Sequence, residues 1–279
     1  MDAVAPQYLM TMPMHAITEV YGETGLRQRF ALEIARFPDD VRKTLERALE
    51  LAAELHRDDR RTREPYVNHL LRSAIRIMHY YLVDDVDVLV ATLLHDAVED
   101  HAEELAASRR TAGDRPAAGR PGGHRPAADR PAAAGLDSDD PTGAALAAIA
   151  ESFNPRVARL VRAVTNPEWD GDRDHHEQYR EHVADSLDGD PWARIIKVSD
   201  FTDNGVGIIH IEPGPRLHRL ASKYRPLVPI LRELVERPDT PLSDDVKAHI
   251  YDQLDLAEER FEAILGTEPP AAAGVGAPA

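Results

Sequence analysis

The sequence predicts an all-α fold, and three observations carry that reading. Apolar residues recur at helical spacing through most of the 279 residues, so that one face of each segment can be buried while the other stays wet. Ala and Leu, both strong helix formers, abound. Aromatics make up only 5% of the chain against 43% hydrophobic residues overall, and the alternation of Val, Ile, Thr and aromatics that marks strands is scarce.

The segments follow in order. Residues 1–38 carry Pro6, Pro13 and Pro38 and read as a loosely packed lead-in segment. From Asp39, DDVRKTLERALELAAELH sets Val41, Leu45, Leu49, Ala52 and Leu55 near helical spacing, with Asp39 and Asp40 placed to cap its start. The polar loop RDDRRTREP leads to Pro65, which opens a second helix with His69 near its first turns. VDVLVATLLHDAVED is apolar almost all round until its polar end, the pattern of a helix at the centre of a domain. Residues of about 106–142 repeat Arg-Pro-Ala-Ala and have little apolar surface to bury, which predicts a disordered low-complexity insertion. Helical patterning resumes in GAALAAIAESFNPRVARLVRAVTN, HHEQYREHVADSL, PWARIIKVSDFTDN, RLHRLASKYRPLVPILRELVE and SDDVKAHIYDQLDLAEERFEAIL. The organisation expected is one domain over 39–267, interrupted by the insertion, with a disordered tail of 268–279.

Composition narrows the function. Lys+Arg number 33 against Asp+Glu 49, a formal net charge of -16, and such a surface repels the phosphate backbone of nucleic acid. A small anionic ligand must then be held by a local basic pocket or a metal ion, and polymeric nucleic acid is an unfavourable partner. With no cysteine, disulfides, thiolate metal sites and a cysteine nucleophile are excluded. No apolar run reaches the ~18 to 20 residues that span a bilayer, and the N-terminus has no charged n-region before an apolar core, so no membrane contact and a cytoplasmic location are expected.

The chemistry concentrates in HDAVED. Adding four to His95 and Asp96 gives Glu99 and Asp100, and residues four apart lie over one another on a helix, so four polar groups are expected to converge on one edge. So many ionisable groups at the end of an apolar helix are costly to bury unless a cation or reciprocal hydrogen bonds compensate them. His69 in EPYVNH and Asp200 in RIIKVSD, both beside apolar helical sequence, complete a set of two imidazoles and two carboxylates. That set suits a divalent ion such as Mn2+, Fe2+, Zn2+ or Mg2+. Lys197 is expected to be a buried or half-buried partner for an acid near this site.

Taken in order, EPYVNHLLRSA, VATLLHDAVEDH, FNPRVARLVRAVTN and IIKVSDFTDN resemble the HD hydrolase domain of RelA/SpoT-type alarmone hydrolases over roughly residues 45–210. The resemblance implies an HD-domain helical bundle that removes the 3′-pyrophosphate of (p)ppGpp. It implies Mn2+ held by His69, His95, Asp96 and Asp200, the family's ED pair at Glu99 and Asp100, and nucleotide contacts from Arg60, Arg61 and Asn204; one turn beyond the ligands, Glu99 and Asp100 are expected to orient water and handle protons. The chain departs from the family where DFTDNGVG stands for a run like DRLHNMRT and VTN for VTK, and it has no counterpart to the synthetase and regulatory modules. Three functions therefore stay open: alarmone hydrolase, a hydrolase of another nucleotide or phosphoester, and a non-catalytic sensor or interaction protein. The oligomeric state is not legible.

Overall fold

The computed structural model describes residues 6–61, 63–113 and 140–266. Among them the chain forms twelve α-helices and no strand, so the fold is the all-α bundle that the helical spacing predicts. The central layer is α3 (Val67–His79), α4 (Val86–Leu93) and α9 (Pro191–Gly205), which pack on one another. Leu70, Leu71, Ala74, Ile77, Val88, Leu89, Leu93, Ile196 and Val198 are fully or nearly buried between them. Burial on nearly all sides explains why α4 reads as apolar all round. An Asp at the N-cap starts both α4 and α9, Asp85 accepting from the amides of Asp87 and Val88, and Asp190 from those of Trp192 and Ala193.

Around this layer, α1 (Met14–Ile34) lies on α3 and α2 (Asp39–Leu55) on α4. Beyond the centre stand α5 (Ala97–Gly113), α6 (Pro141–Ser152), α7 (Pro155–Val164) and α8 (His175–Asp188). The helices α10 (Pro215–Tyr224), α11 (Leu227–Glu236) and α12 (Asp244–Leu265) close the bundle. Single prolines and caps divide what the hydropathy pattern joins. Asn154 caps α7 with Pro155 at its first position, and Pro226 separates α10 from α11.

Four expectations are corrected. The lead-in is not loosely packed: Met14, Ile17, Leu26, Phe30 and Ile34 of α1 belong to the core, and Arg29 is buried with Glu33 and the Leu9 carbonyl as partners. Pro13 precedes that helix without breaking it, and the interruption falls at Gly22, whose φ of 61° and ψ of -152° suit glycine alone. Asp39 and Asp40 stand inside the first turn of α2 and make no capping bond there, the N-cap being Pro38. The boundaries of the insertion also move: α5 continues to Gly113 with Ala106 buried, and α6 begins at Pro141. What remains of the insertion, 114–139, lies outside the described residues, as does the tail from 267. Finally, VDVLVATLLHDAVED is two helices, with Leu94, His95 and Asp96 in the turn between α4 and α5.

Candidate active site

That turn is what brings His95 into the core. The amide of Leu94 closes α4 on the carbonyls of Val90 and Ala91, and the amide of Ala97 returns to Leu94. Nδ1 of His95 donates to the carbonyl of Thr92 at 2.8 Å, which leaves Nε2 as the free lone pair. On the facing helix α3, Nδ1 of His69 donates to Oδ2 of Asp203 at 2.8 Å and likewise frees Nε2. The two Nε2 atoms lie 3.3 Å apart. Asp200, from α9, brings Oδ1 to 3.2 Å of His69 Nε2 and 3.6 Å of His95 Nε2. Oδ2 of Asp96 stands 3.7 Å from His69 Nε2 and 3.1 Å from His95 Nε2. Four residues from two helices and one turn thus converge, with His69, His95 and Asp200 as the tight trio and Asp96 at its edge.

The arrangement suits a divalent metal ion. Metal-ligand bonds of about 2.0 to 2.2 Å place neighbouring ligand atoms roughly 3.0 to 3.5 Å apart, close to the separations between these donors. The electrostatics agree. Burial opposes charge on His95, yet the Asp96 and Asp200 carboxylates outweigh it and raise the imidazole to about 9. A pocket that draws a proton this strongly carries negative charge that a cation can neutralise.

A second tier holds these donors in place. Asp203 is buried and receives Nε and Nη2 of Arg72 at 2.8 and 2.9 Å and Nη2 of Arg76 at 3.2 Å, besides His69. Those cations, Arg72 foremost, overcome burial and keep its carboxyl well below the usual range. Glu64 takes the other face of Arg72 at 2.7 and 2.8 Å. The hydroxyl of Tyr66 donates to Asp96 at 2.7 Å. Lys197 is buried and pairs with Oδ2 of Asp200 at 3.0 Å, as expected of it, while Asn204 donates to Oδ1 at 2.7 Å.

Glu99 and Asp100 are exposed on the first turn of α5, beside the donors and not stacked over them on one helix. Both carboxylate oxygens of Glu99 accept from Nδ2 of Asn166 at 2.8 Å, so the Asn of VTN orients this acid. Loss of water around its carboxyl beside the cluster, with the charges of Asp96 and Glu99, raises Asp100 to about 6 even though the residue as a whole reaches the surface. Arg61 lies over the Tyr66 ring and donates to Oδ1 of Asn204 at 2.9 Å. Arg60 is exposed, its backbone bridged to Pro65. A cavity of about 750 Å³ opens here, and Arg60, Arg61, Tyr66, Asn204, Arg216 and Tyr224 are among its lining residues. Asp203 reaches it too, and Tyr66, Asn204 and Asp203 join the cavity to the clustered imidazoles and carboxylates. Helix α1 completes the wall with His15, Thr18 and Gly22, so the N-terminal segment is part of the site.

Sequence reasoning missed Asp203, Arg72, Glu64 and Tyr66. A signal existed: His69, Arg72 and Arg76 fall at three- and four-residue steps on one face of α3, and Asp200 and Asp203 on one face of α9. Two facing helices, one carrying a histidine and two arginines and the other two aspartates, form a network when they pack.

The fold is an all-helical bundle, and this His-Asp cluster gives it a candidate metal centre. Among proteins of known name, the chain is similar to the guanosine-3′,5′-bis(diphosphate) 3′-pyrophosphohydrolase of Aquifex aeolicus (strain VF5), with 25% identity over 185 residues, 66% of this chain and 20% of the relative. It is likewise similar to the guanosine-3′,5′-bis(diphosphate) 3′-pyrophosphohydrolase MESH1 of Drosophila melanogaster, with 26% identity over 159 residues, 56% of this chain and 64% of the relative. The chain thus spans about a fifth and under two thirds of these two proteins. A solved structure of a metazoan ortholog of SpoT that hydrolyzes ppGpp superposes with a TM-score of 0.52 at 21% identity, covering 81% of this chain and 98% of that one. The likeness to that structure is one of fold. No family model matches the chain. No helix among the described residues is long and apolar enough to cross a membrane.

Proposed function

We propose that this chain is a metal-dependent phosphohydrolase that removes the 3′-pyrophosphate of (p)ppGpp or a close relative, with His69, His95, Asp96 and Asp200 holding one divalent ion, Mn2+ first and Fe2+, Zn2+ or Mg2+ as alternatives. The observation that carries the reading is the convergence of two imidazole Nε2 atoms and carboxylate oxygens beside an arginine-lined cavity, in a chain whose net charge is -16. A polyanionic small molecule needs such a local reversal of charge to bind at all.

A divalent ion supplies Lewis acidity toward water and a phosphoryl oxygen. The remaining work falls to side chains. Arg61, fixed by Asn204 and the Tyr66 ring, and Arg60 at the mouth hold phosphate or base, Arg offering paired donors to phosphate. Glu99, oriented by Asn166, takes the proton of the attacking water as its oxygen bonds to phosphorus. Asp100, raised to about 6, returns a proton to the ribose oxygen as the phosphorus-oxygen bond breaks. Asp203 and Thr92 hold the two imidazoles in the tautomer that leaves Nε2 free. A nucleotide substrate would place the protein in the cytoplasm.

A second reading is an HD phosphohydrolase for another phosphoester, favoured by Asn166: it occupies Glu99 where the resembled family carries a lysine. A phosphate-release screen separates the two. Metal-reconstituted protein with Mn2+ is expected to release pyrophosphate from ppGpp. Release from a different phosphoester alone moves the assignment to the second reading, and no turnover on any nucleotide or other phosphoester of the screen refutes both.

A further inference from the structure

A second group of donor side chains lies outside the site just described. His56 follows the last residue of α2, Asp59 stands in the loop after it, and His101 occupies the point where α5 departs from helical geometry, at φ -134° and ψ 31°. Oδ2 of Asp59 is 2.7 Å from Nδ1 of His56 and 2.7 Å from Nε2 of His101. The two rings meet edge to face, their centroids 4.6 Å apart. Donor atoms of all three residues fall within 4.8 Å of one another. Glu104, one turn along α5, brings Oε2 to 3.7 Å of Nδ1 of His101, a second carboxylate at the margin. The His56 side chain is fully buried, and its Nε2 has no hydrogen-bond partner.

We propose that His56, Asp59 and His101 form a second divalent-cation site, of the zinc type, which ties the end of α2 to the kink of α5. Two imidazoles and one carboxylate from three separate segments are the ligand set of a borderline transition metal, favouring Zn2+, Co2+ or Ni2+ over Mg2+ or Ca2+. Both rings converge on one carboxylate oxygen, and each must spend its proton there to make the contact. A cation replaces those two protons at once, and bonds of about 2.0 to 2.2 Å need the three donors to part by only a few tenths of an ångström from their present 2.7 Å contacts. Asp59 and His101 are partly exposed, which permits that movement and admits the ion.

The site would bear on the first one through Tyr66. The His56 ring stacks on the Tyr66 ring, centroids 4.7 Å apart and planes 15° from parallel, and Tyr66 donates to Asp96. An ion on His56 would hold that stack and with it the orientation of Asp96.

Metal stoichiometry tests the proposal independently of any turnover. Metal-stripped full chain is titrated with Co2+, bound ion is counted by elemental analysis, and the ligand-field bands are recorded. Wild type is expected to take two equivalents, His101→Ala one, Asp96→Ala one and the double variant none. Asp59→Asn, which keeps the shape of the side chain, is expected to behave as His101→Ala does, and circular dichroism verifies that each variant is folded. One equivalent in wild type, or two in folded His101→Ala, overturns the second site. One equivalent in both wild type and His101→Ala with none in Asp96→Ala removes it and leaves the proposed function standing.

Discussion

Asp203 offers the sharpest test of how the site is held together, and Asp203→Asn is the perturbation. The carboxylate accepts on every side: His69 Nδ1-H, Arg72 Nε and Nη2, and Arg76 Nη2. An amide of the same shape has one acceptor oxygen and one donor nitrogen. If the nitrogen faces His69, the ring must move its proton to Nε2, the atom that faces His95 and Asp200, and lose it as a ligand. If the nitrogen faces the arginines, donor meets donor in a buried position. Residues that orient a ligating histidine typically cost 10- to 100-fold in metal affinity when changed, about 1.4 to 2.7 kcal/mol. Stability should fall by about 2 to 3 kcal/mol, less than for a wholly broken buried pair because Glu64 still engages Arg72. The assay is Mn2+ affinity by chelator competition, read well below the melting temperature, with hydrolysis measured at limiting and at saturating metal. Expected is weaker binding and a loss of activity that excess metal partly restores. Wild-type metal affinity in folded Asp203→Asn would refute the tautomer argument.

Three further outcomes follow from the same geometry. Glu99→Gln keeps the side chain's shape and is expected to retain metal while kcat falls about 10²-fold or more; an unchanged kcat would show that this acid handles no proton. Arg61→Ala is expected chiefly to raise KM, and more than Arg60→Ala does, because Arg61 is fixed at the inner end of the cavity by Asn204; equal KM values in all three proteins would dissociate the arginines from substrate. His15 is lowered by burial from 6.5 to about 4, so the unfolded chain binds the extra proton across that window and stability falls as pH drops from about 6.5 toward 4. The limit for this shift is about 3.4 kcal/mol, and 28% side-chain exposure reduces it to roughly 2 to 3. Denaturation at pH 7, 5.5 and 4.5 should show a shallower pH slope in His15→Gln than in wild type, and equal slopes would remove His15 from the account.

Most of the bundle was legible because helical period is a local property. The stripe of Leu45, Leu49, Ala52 and Leu55 and the all-round apolar run of α4 report their burial directly. The lead-in was misjudged because prolines were counted as breakers. Pro13 stands just before α1, where its fixed φ and missing amide are harmless, and the one true interruption is a glycine whose role lies in its dihedral angles. The turn at His95 was hidden for a related reason. Leu93, Leu94 and Ala97 are as apolar as a continuous helix would require, and the break comes from backbone bonds that no hydropathy pattern records.

The same division explains which parts of the site could be read. His69, His95, Asp96 and Asp200 stand out because each is a polar group embedded in apolar helical sequence, and the structure brings all four within a few ångströms. Asp203 is buried as His69, His95 and Asp200 are, yet in DFTDN it looks like an exposed helix end following the Asp200 it resembles. Its function is relational: it exists only when α3 presents His69, Arg72 and Arg76 to α9, a contact across more than 120 positions of sequence. Candidate ligands can be read from composition and spacing, whereas the groups that set an imidazole's tautomer belong to the packing. The Glu99 partner shows the limit from the other direction. Asn166 reads as the loss of a lysine, but in the folded chain it is the donor that fixes both oxygens of Glu99. A change that looks like erosion of the motif therefore preserves the orientation of the acid while removing a positive charge beside it. Its effect should fall on which phosphoester is accepted and not on whether hydrolysis occurs.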